Sequence, residues 1–506
     1  MFTQIHSGAI HGLDCQSIVV EVDVAGSWPG FQIIGLPDTS IQEAKERIRT
    51  SWKNTGLDFP SNKRIVINLA PADVRKEGTA YDLPMAVGMY MANENNTLDI
   101  SNCFFVGELG LEGSIRPTFG ILPLVLFAKE RGYKKVFIPK VNEAEASIVS
   151  GIEIYPLKNL HELILWLQGT KNLEPTVPHD LDAFFEHRSS ELDMCYIKGQ
   201  EFVKRALEIA ATGGHNILLS GPPGSGKTLL ARTFPTILPK LTPEEAIEVT
   251  KIYSVAGLLG EKQPLIVDRP FRAPHHTASS VALIGGGKYP RPGEISLSHR
   301  GVLFLDEFPE FPRSLLESLR QPLEDGVITI SRAQGTLTFP AQCMLVASQN
   351  PCPCGYYSDP DKSCVCTSGQ ILKYQKKISG PLLDRIDIQV EVPKVQFEKI
   401  TKEENSEPSA DIRSRVEEGR ERQKKRFAGH SCKTNSEMKN AEIKEFCALK
   451  SDAQELLKQA VAQFQFSARS FHRVLKLART IADLEKKDCI ETVHVAEALQ
   501  YRGNRE

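Results

Sequence analysis

The sequence predicts an α/β protein, with two successive α/β domains and a C-terminal region built of helices. Strand-like and helix-like segments alternate in the first part of the chain, where SIVVEVDV precedes SIQEAKERIRTSWKN. A second alternating region begins with the apolar segment NILLS, which leads into a glycine-rich loop and then a helix. The last part of the chain is dense in helix formers, as in QELLKQAVAQF. These three observations define the predicted fold class.

Shifts in composition set the expected domain boundaries. A length of 506 residues corresponds to roughly three domains. We expect an α/β domain at 1–168, a polar linker at 169–196, a second α/β domain at 197–393 and a helical domain at 394–506. The polar stretches QGTKNLEPTVPHD and KITKEENSEPSAD mark the two transitions.

Composition and charge restrict the classes of function. No apolar run approaches the ~18 residues that a transmembrane helix needs, and the N-terminus lacks a basic segment followed by an apolar one. We therefore expect a cytoplasmic protein without membrane contact, whose cysteines stay reduced. The 61 Lys and Arg residues nearly balance the 63 Asp and Glu residues, for a net charge of -2. Any contact with nucleic acid must therefore come from local basic patches.

The glycine-rich loop predicts an ATP-binding site. Residues 221–228 fit the pattern G-x-x-x-x-G-K-[ST] between a strand and a helix. Glycines let backbone N–H groups close around phosphate oxygens, Lys227 would neutralise the β and γ phosphates, and the Thr228 hydroxyl would hold Mg²⁺. The flanking strand and helix argue against the alternative, a chance turn. The candidate ATP-binding residues are Gly221, Pro222, Pro223, Gly224, Ser225, Gly226, Lys227 and Thr228.

A pair of acidic residues predicts ATP hydrolysis. The segment GVLFLDEF is an apolar strand that ends in Asp306 and Glu307, as expected at the carboxyl end of a buried parallel strand. Asp306 would orient Mg²⁺ through water, and Glu307 would polarise the water that attacks the γ-phosphate. Such a pair alone is a weak signal, but downstream of the glycine-rich loop it indicates an ATPase.

Four segments resemble AAA+ ATPases, and among them the magnesium-chelatase-like ATPases of the ComM/YifB type. They are IKGQEFVKRALEIAATGGHNILLSGPPGSGKT, RPFRAPHHTASSVALIGGG, PRPGEISLSHRGVLFLDEFPEF and ISGPLLDRIDI. The resemblance extends over nearly the whole chain. It implies a P-loop AAA+ α/β core followed by a C-terminal all-α lid.

The resemblance also implies roles for residues outside the two motifs. Asn350, at the end of the predicted strand CMLVASQN, matches the sensor that hydrogen-bonds the attacking water or the γ-phosphate. Arg385 matches the arginine finger, which reaches the ATP of a neighbouring subunit and so implies a homo-oligomeric ring, most often a hexamer. Arg469 matches the second sensor on the lid, with Arg473 as the alternative. An arginine fork suits the developing charge on a γ-phosphate, although for any single arginine a surface salt bridge is the commoner role.

Four cysteines in the loop 352–366 predict a zinc site. Cys352, Cys354, Cys364 and Cys366 could give four thiolates to a tetrahedral Zn²⁺. Their spacing, C-x-C-x₉-C-x-C, differs from the common pairs of C-x₂-C. A disulfide is disfavoured in a reducing compartment, and a loop of reduced thiols is the remaining alternative. A zinc ion here would be structural, because a site of four cysteines has no open position.

Two inserted segments resemble elements of ring helicases that face the central channel. The helix-two insert is matched by TASSVALIGGGKYPRPGE, and the pre-sensor hairpin is matched by GVITISRAQGTLTFPAQ. Our candidate DNA-binding residues, Lys288 and Arg332, lie near the tips of these two segments. Without the resemblance, ordinary solvated turns would be the favoured interpretation. We interpret His275 and His276 as structural or channel-facing, since adjacent histidines do not easily share one metal.

The N-terminal domain resembles the proteolytic domain of Lon-type proteases. APADVRKEGTAYDLP aligns with the segment that carries their serine nucleophile, and IRPTFGILPLVLFAKERGYKKVFIP with the segment that carries their lysine. The serine position falls on about Ala80 and the lysine position on Leu124. An alanine cannot attack a peptide and a leucine cannot accept a proton, so we expect a binding or assembly module.

Three functions remain open at this stage. The resemblance favours an ATP-driven ring motor on single-stranded or branched DNA, with branch-migration or helicase activity in the integration of transforming DNA or in recombination. A chelatase-type ATPase subunit that drives metal insertion is the second, and a peptide-remodelling ATPase is the third. The missing dyad argues against proteolysis. The Lon-like domain argues against the chelatase motor, which resembles only the central and lid regions.

Overall fold

The computed structural model describes residues 1–26, 28–73, 76–186, 191–260, 263–287, 290–332, 335–357, 359, 361–395 and 406–502. It divides into two compact units. Unit 1 comprises Met1–His187 and Pro243–Val267, and unit 2 comprises Arg188–Thr242 and Asp268–Glu506. No helix among the described residues is long and apolar enough to cross a membrane. The boundaries predicted along the chain stay predictions.

Unit 1 is built around a mixed sheet of seven strands, in the order β3-β4-β2-β1-β5-β8-β9. Strands β1 and β2 pair antiparallel from Phe2 and Asp23 to His11 and Asp14, whereas β3–β4, β5–β8 and β8–β9 are parallel pairs. Strands β6 and β7 form a separate hairpin. The nine strands are β1 (Phe2–His11), β2 (Asp14–Ala25), β3 (Gly30–Ile34), β4 (Arg64–Ala70), β5 (Cys103–Phe105), β6 (Glu108–Leu109), β7 (Ile115–Arg116), β8 (Lys135–Pro139) and β9 (Glu153–Leu157).

The helices of unit 1 cover this sheet and supply most of its core. The helix Asp82–Glu94 is buried over nearly its whole length, and a Cβ atom built on its Gly88 would lie 2.5 Å from Val22 Cγ2. A side chain at that position would therefore push the helix off the sheet. The helices are Thr39–Asn54, Asp82–Glu94, Ile121–Glu130, Glu143–Ala146, Leu160–Leu167, Ala183–Glu186 and Pro243–Ala256, with a 3₁₀ turn at Lys140–Asn142.

The helix Pro243–Ala256 belongs to unit 1 because it packs beside the start of the helix Ile121–Glu130. The carbonyl oxygen of Ser254 accepts a hydrogen bond of 3.1 Å from the backbone of Gly120. The Ser254 hydroxyl donates to the buried carboxylate of Glu145, which also accepts from the backbone N–H of Leu122 at 2.8 Å. Burial raises the pKa of Glu145, and these hydrogen bonds oppose the shift.

Unit 2 contains a sheet of five parallel strands, in the order β11-β14-β17-β10-β18. Because parallel strands share one carboxyl edge, the residues that follow β10, β14 and β17 meet there. Two hairpins, β12–β13 and β15–β16, stand apart from the sheet. The strands are β10 (Ile217–Ser220), β11 (Phe271–Arg272), β12 (Gly285–Gly286), β13 (Arg291–Pro292), β14 (Val302–Leu305), β15 (Val327–Arg332), β16 (Gly335–Pro340), β17 (Met344–Gln349) and β18 (Ile388–Glu391).

The described residues from 406 onward form helices, and these share one hydrophobic core with the sheet of unit 2. Ile217 and Val302 from the sheet belong to the same cluster as Val474, Ile481 and Tyr501. The helices of unit 2 are Glu201–Gly213, Lys227–Thr233, Ser280–Ile284, Glu294–Leu297, Arg313–Ser318, Arg320–Asp325, Ser368–Gln375, Gly380–Leu383, Ser409–Arg426, Asn440–Phe446, Ser451–Phe464, Ala468–Leu484 and Thr492–Gln500, with 3₁₀ turns at Met194–Tyr196, Phe234–Ile237, Phe308–Glu310 and Asn435–Glu437. The predicted fold class is confirmed: an N-terminal α/β unit, a parallel α/β core and a C-terminal helical region.

Candidate nucleotide site

The glycine-rich loop joins β10 to the helix Lys227–Thr233, as the sequence predicts. Gly224 and Gly226 have φ angles of 77° and 87°, in the left-handed region that favours glycine. A Cβ atom built on Gly221 would lie 2.3 Å from the carbonyl oxygen of Val392. The loop therefore depends on glycine at these three positions, twice for backbone conformation and once for close approach.

Lys227 is held inside this loop by backbone oxygens. Its ammonium group donates to the carbonyl oxygens of Gly221 at 2.8 Å and Pro222 at 2.9 Å, and to Asn350 Oδ1 at 3.3 Å. Burial lowers the pKa of Lys227, and the carboxylate of Asp306 opposes that shift. The contact with Asn350 brings the predicted sensor at the end of β17 to the loop after β10.

Thr228 and Asp306 lie side by side, although 78 positions separate them in the chain. The Thr228 hydroxyl donates to Asp306 Oδ2 across 3.0 Å. The other carboxylate oxygen, Oδ1, accepts hydrogen bonds from the Ser348 hydroxyl and from the backbone N–H of Glu307 at 3.0 Å. These contacts fix the carboxylate at the edge of the sheet, next to the start of the helix.

The residues of the loop fit ATP and Mg²⁺. A hydroxyl and a carboxylate oxygen in contact are hard ligands of the kind that Mg²⁺ takes together with nucleotide phosphates. The start of the helix Lys227–Thr233 points backbone N–H groups toward the loop, and such groups bind anions. The buried Ser225 hydroxyl has no hydrogen-bond partner among the described residues, so a phosphate oxygen would satisfy it.

Glu307 follows Asp306 in a left-handed backbone conformation, with a φ angle of 52°. Its Oε2 atom lies 3.4 Å from His276 Nδ1, and the ring of His276 stands 4.1 Å from that of His275, centroid to centroid. The sequence alone does not predict the contact of His276 with Glu307. The signal was its position just after β11, which pairs with β14 and so brings His276 beside the residues that follow β14.

The loop with the four cysteines contacts the glycine-rich loop. A Cβ atom built on Gly355, which has a φ angle of 85°, would lie 2.7 Å from Pro223 Cδ and 3.9 Å from Asn350 Cγ. The conformation of the cysteine loop therefore affects both the glycine-rich loop and the predicted sensor.

The four thiols themselves form one cluster. The Sγ atom of Cys352 lies 3.3 Å from that of Cys354 and 3.7 Å from that of Cys364. The Cys354 and Cys364 sulfurs are 3.6 Å apart, and all four, with Cys366, lie within 4.8 Å of one another. Zn–S bonds of ~2.3 Å in a tetrahedron separate sulfur atoms by about 3.8 Å. The cluster is therefore consistent with a zinc site.

The three candidate arginines differ in their contacts. Arg385 donates to the carbonyl oxygen of Pro381 at 2.8 Å and pairs with Glu324 of its own chain. Arg473 lies 3.5 Å from Asp387 and donates to the carbonyl oxygen of Ile386. Arg469 is exposed at the start of its helix. In the helix Ala468–Leu484, Arg473 thus contacts the two residues that follow Arg385, whereas Arg469 is exposed to solvent.

A buried polar network holds Asp387, which lies two residues after Arg385. Asp387 Oδ2 lies 3.2 Å from His215 Nδ1, and His215 Nε2 lies 2.8 Å from the Thr480 hydroxyl. Burial alone would raise the pKa of Asp387, but the hydrogen bond and charge of His215 and the charge of Arg473 lower it to about 2. The segment that contains Arg385 is therefore tied to the helix Ala468–Leu484 at two points.

The other predicted residues fall into two groups. Lys288 and the side chain of Arg332 lie outside the described residues, so their contact with DNA stays a prediction. In unit 1, Leu124 is buried, and Ala80 accepts a backbone hydrogen bond of 2.9 Å from Gly107. The positions that align with the Lon dyad thus carry apolar side chains, a buried one at Leu124 and a half-buried one at Ala80.

Comparison with known proteins places the whole chain in one family. Models described as "Magnesium chelatase, subunit ChlI", "Subunit ChlI of Mg-chelatase" and "Magnesium chelatase, subunit ChlI C-terminal" match residues 193–400, 20–142 and 406–502. The YifB protein of Escherichia coli K12 is 41% identical over 99% of this chain and 96% of its own length. The competence protein ComM of Haemophilus influenzae is also 41% identical, over 99% of this chain and 97% of its own.

A shorter match concerns the N-terminal part. Lon protease 2 of Bacillus subtilis is 32% identical over 120 residues, which are 24% of this chain and 21% of that protein. This local match agrees with the Lon resemblance of the first domain, while the matches to YifB and ComM extend over the full length. This chain therefore belongs to the magnesium-chelatase ChlI family of AAA+ proteins, in the group that includes YifB and ComM.

Proposed function

We propose that this protein is an ATP-hydrolysing ring motor that acts on single-stranded or branched DNA in the cytoplasm. The observation that carries the ATPase part is the contact between Thr228 and Asp306, which unites the glycine-rich loop with the acidic end of β14. The DNA part is supported by full-length similarity to a relative that is named a competence protein. Branch migration or strand unwinding, in recombination or in the integration of transforming DNA, would be its activity.

In this proposal each residue of the site has a separate task. The backbone of the glycine-rich loop and Lys227 bind the phosphates, and Thr228 and Asp306 would hold Mg²⁺. When bound, that ion neutralises negative charge that develops on the phosphates. Glu307 polarises the attacking water and Asn350 orients it. Lys227 is already in contact with Asn350, so phosphate binding and water orientation share one hydrogen-bonded group.

We propose that hydrolysis also needs a neighbouring copy of the chain. Arg385 would act as the finger on the neighbour's ATP, and Arg469 as the second sensor on the chain's own ATP. The contacts of the half-buried Arg473 with Asp387 and Ile386 favour Arg469 for the sensor role, since Arg473 would have to leave Asp387 to reach a phosphate. A closed ring, most often a hexamer in such families, follows from a finger that acts in trans.

The cysteine cluster would hold one structural Zn²⁺. Its task would be to fix the loop at 352–366, which has too few residues for a core of its own. Because Gly355 of this loop abuts Pro223 and faces Asn350, a fixed loop would keep the glycine-rich loop and the sensor in place.

A chelatase-type motor is the second candidate function. Its support is that the matching family models carry the name of a magnesium chelatase subunit. A subunit of this kind would couple hydrolysis to metal insertion and would not respond to DNA. Proteolysis is disfavoured, because the positions of the Lon dyad hold Ala80 and Leu124. Peptide remodelling has less support than the other two functions, because it rests on a match to a Lon protease that covers only 24% of this chain.

Steady-state ATP hydrolysis with and without DNA separates these candidates. We expect single strands or branched DNA to raise the rate for the purified protein, and we expect Glu307→Gln to hydrolyse ATP at background rate under both conditions. A rate that no DNA structure changes, in a preparation that hydrolyses ATP, would contradict the DNA part and favour the chelatase-type function.

A further inference from the structure

Unit 2 contains an open cleft of about 740 Å³ between two segments that adjoin the nucleotide site. One wall comprises the residues that follow Glu307 directly, and it includes Glu310 and Arg313. The other wall is the helix Ser368–Gln375 with the two residues that follow it. Neither wall was part of the predicted DNA contacts.

The side chains that line this cleft are predominantly basic. The cleft is lined by four cations and one anion, which give it a net charge of +3. The cations are Arg313, Lys373, Lys376 and Lys377, and the anion is the carboxylate of Glu310. Lys377 donates to Glu310 at 2.8 Å, and the other three cations are all exposed. The whole chain has a net charge of -2, so this concentration of positive charge is a local feature.

The cleft also offers apolar surface between its cations. Leu372, in the middle of the helix Ser368–Gln375, is 52% exposed and lines the cleft together with Pro309. A nucleic acid strand combines regularly spaced phosphates with flat apolar bases. Proteins that bind single strands combine a basic groove with side chains that contact the base faces, most often aromatic ones, and here Leu372 offers an aliphatic contact surface. An acidic polypeptide would use the cations but would leave the exposed leucine in water.

Both walls of the cleft continue into the catalytic residues. The turn Phe308–Glu310 follows Glu307 without a gap. On the other wall, burial raises the pKa of Tyr374, and the backbone of Asn350 lies near enough to oppose that rise. Lys377 Nζ lies 5.3 Å from the centre of the Tyr374 ring. A ligand held by the lysines would therefore act on the helix that contacts the predicted sensor.

We propose that this basic cleft binds the sugar–phosphate backbone of a nucleic acid strand, and that binding there is transmitted to Glu307 and Asn350. The inference rests on the proposed function, and it adds a binding site distinct from Lys288 and Arg332. It also explains how DNA could stimulate hydrolysis. One wall of the cleft follows Glu307 and the other follows the cysteine loop, so a strand bound between them would act on both segments.

Two double variants of equal charge test this site. Lys373→Gln/Lys376→Gln removes two cations of the cleft and leaves the pair of Lys377 with Glu310 intact. Lys424→Gln/Lys425→Gln removes two exposed lysines from the helix Ser409–Arg426 and serves as the matched control. The dissociation constant for a fluorescent single strand is measured at several KCl concentrations, with a non-hydrolysable ATP analogue. Sedimentation of each protein records its oligomeric state.

We expect the cleft variant to bind more weakly and with a weaker salt dependence. Each phosphate contact on a single strand contributes about 0.7 to the slope of log K against log salt concentration. Loss of two contacts should therefore reduce the slope by about 1.4, while the control variant keeps the wild-type slope. The same cleft variant should need more DNA for half-maximal stimulation of hydrolysis.

The outcomes distinguish this inference from the proposed function. If wild-type protein binds DNA and the cleft variant keeps its salt slope, the cleft site is wrong and the motor proposal stands. If wild-type protein binds no DNA, both fail. If poly-glutamate displaces the strand as well as unlabelled DNA does, the cleft takes acidic chains in general and the proposal is overturned. If the cleft variant loses the wild-type oligomeric state and the control variant keeps it, the cleft is an interface between copies of the chain. That outcome would also overturn the proposal.

Discussion

The hydroxyl of Thr228 donates to Asp306 across 3.0 Å, and this contact joins the glycine-rich loop to the end of β14. Asp306 is held from its other side by Ser348 at the end of β17. Three parallel strands thus contribute to one constellation, with Lys227 bound to Asn350 as a second link between them. In the proposed function, nucleotide binding and hydrolysis depend on different residues of this constellation. Single substitutions should therefore separate the two.

Lys227→Ala should abolish ATP binding, whereas Glu307→Gln should bind ATP and hardly hydrolyse it. The first variant removes the cation that neutralises the phosphates, and the second removes the base, a contribution of about 10²-fold or more in rate. Binding of a fluorescent ATP analogue and release of phosphate measure the two effects. Lys424→Ala, on an exposed helix, is the control. Wild-type turnover in Glu307→Gln would show that another group activates the water.

Arg385→Ala should bind ATP but fail to hydrolyse it, since its own Lys227 and Glu307 are intact. When it is mixed with Glu307→Gln, activity should partly return at those interfaces where one subunit supplies Glu307 and its neighbour supplies Arg385. Phosphate release is followed across mixing ratios, with each variant alone as the control. Absence of rescue at every ratio would contradict a finger that acts in trans.

Purified protein should retain one zinc ion per chain after extensive dialysis, because the four sulfurs lie at distances that suit a tetrahedral site. Cys352→Ser/Cys354→Ser should lose the ion and hydrolyse ATP more slowly, since the loop contacts Pro223. Cys489→Ser, at an exposed cysteine outside the cluster, should behave as wild type. Metal analysis decides the point, and four freely titratable thiols without zinc would exclude the site.

Asp387→Asn should lower the free energy of unfolding by about 2 kcal/mol, which corresponds to the depressed pKa of a fully paired buried carboxylate. Because the folded pKa, about 2, is below the unfolded one, the stabilisation is present above pH ~4 and is lost as pH falls toward 2. Denaturant unfolding at pH 5, which is above both of these pKa values, should show this loss.

The control for this substitution is Asp488→Asn. Asp488 is 96% exposed in its pair with Arg422, and exposed pairs contribute about 0–1 kcal/mol. If Asp387→Asn unfolds at pH 5 with the same free energy as the wild-type protein, the charged carboxylate does not stabilise the fold. The interpretation of the His215 and Asp387 pair would then be wrong.

Much of the site could be predicted from the sequence because its parts are local. The glycine-rich loop follows from the required φ angles of Gly224 and Gly226, and the position of Asp306 follows from the common carboxyl edge of parallel strands. The clustering of the cysteines followed from two pairs placed in one short loop.

Other features depend on packing that periodicity does not encode. The contact of His276 with Glu307 arises because β11 is the edge neighbour of β14. The helix Pro243–Ala256 has an ordinary pattern of buried residues, which does not tell which unit it joins. Its place in unit 1 shows in its packing beside the helix Ile121–Glu130 and in polar contacts such as Ser254 with Glu145. The basic cleft likewise forms from two segments that lie far apart in the chain.

The central claim, a motor driven along DNA by ATP, is tested most directly by strand displacement on branched DNA. Purified wild-type protein is incubated with labelled three-stranded or four-way junctions, with ATP or with a non-hydrolysable analogue, and Glu307→Gln is run beside it. We predict that strands separate only with wild-type protein and ATP. If no junction is resolved while the same preparation hydrolyses ATP at a rate unaffected by DNA, the motor is contradicted and the chelatase-type function becomes the better account.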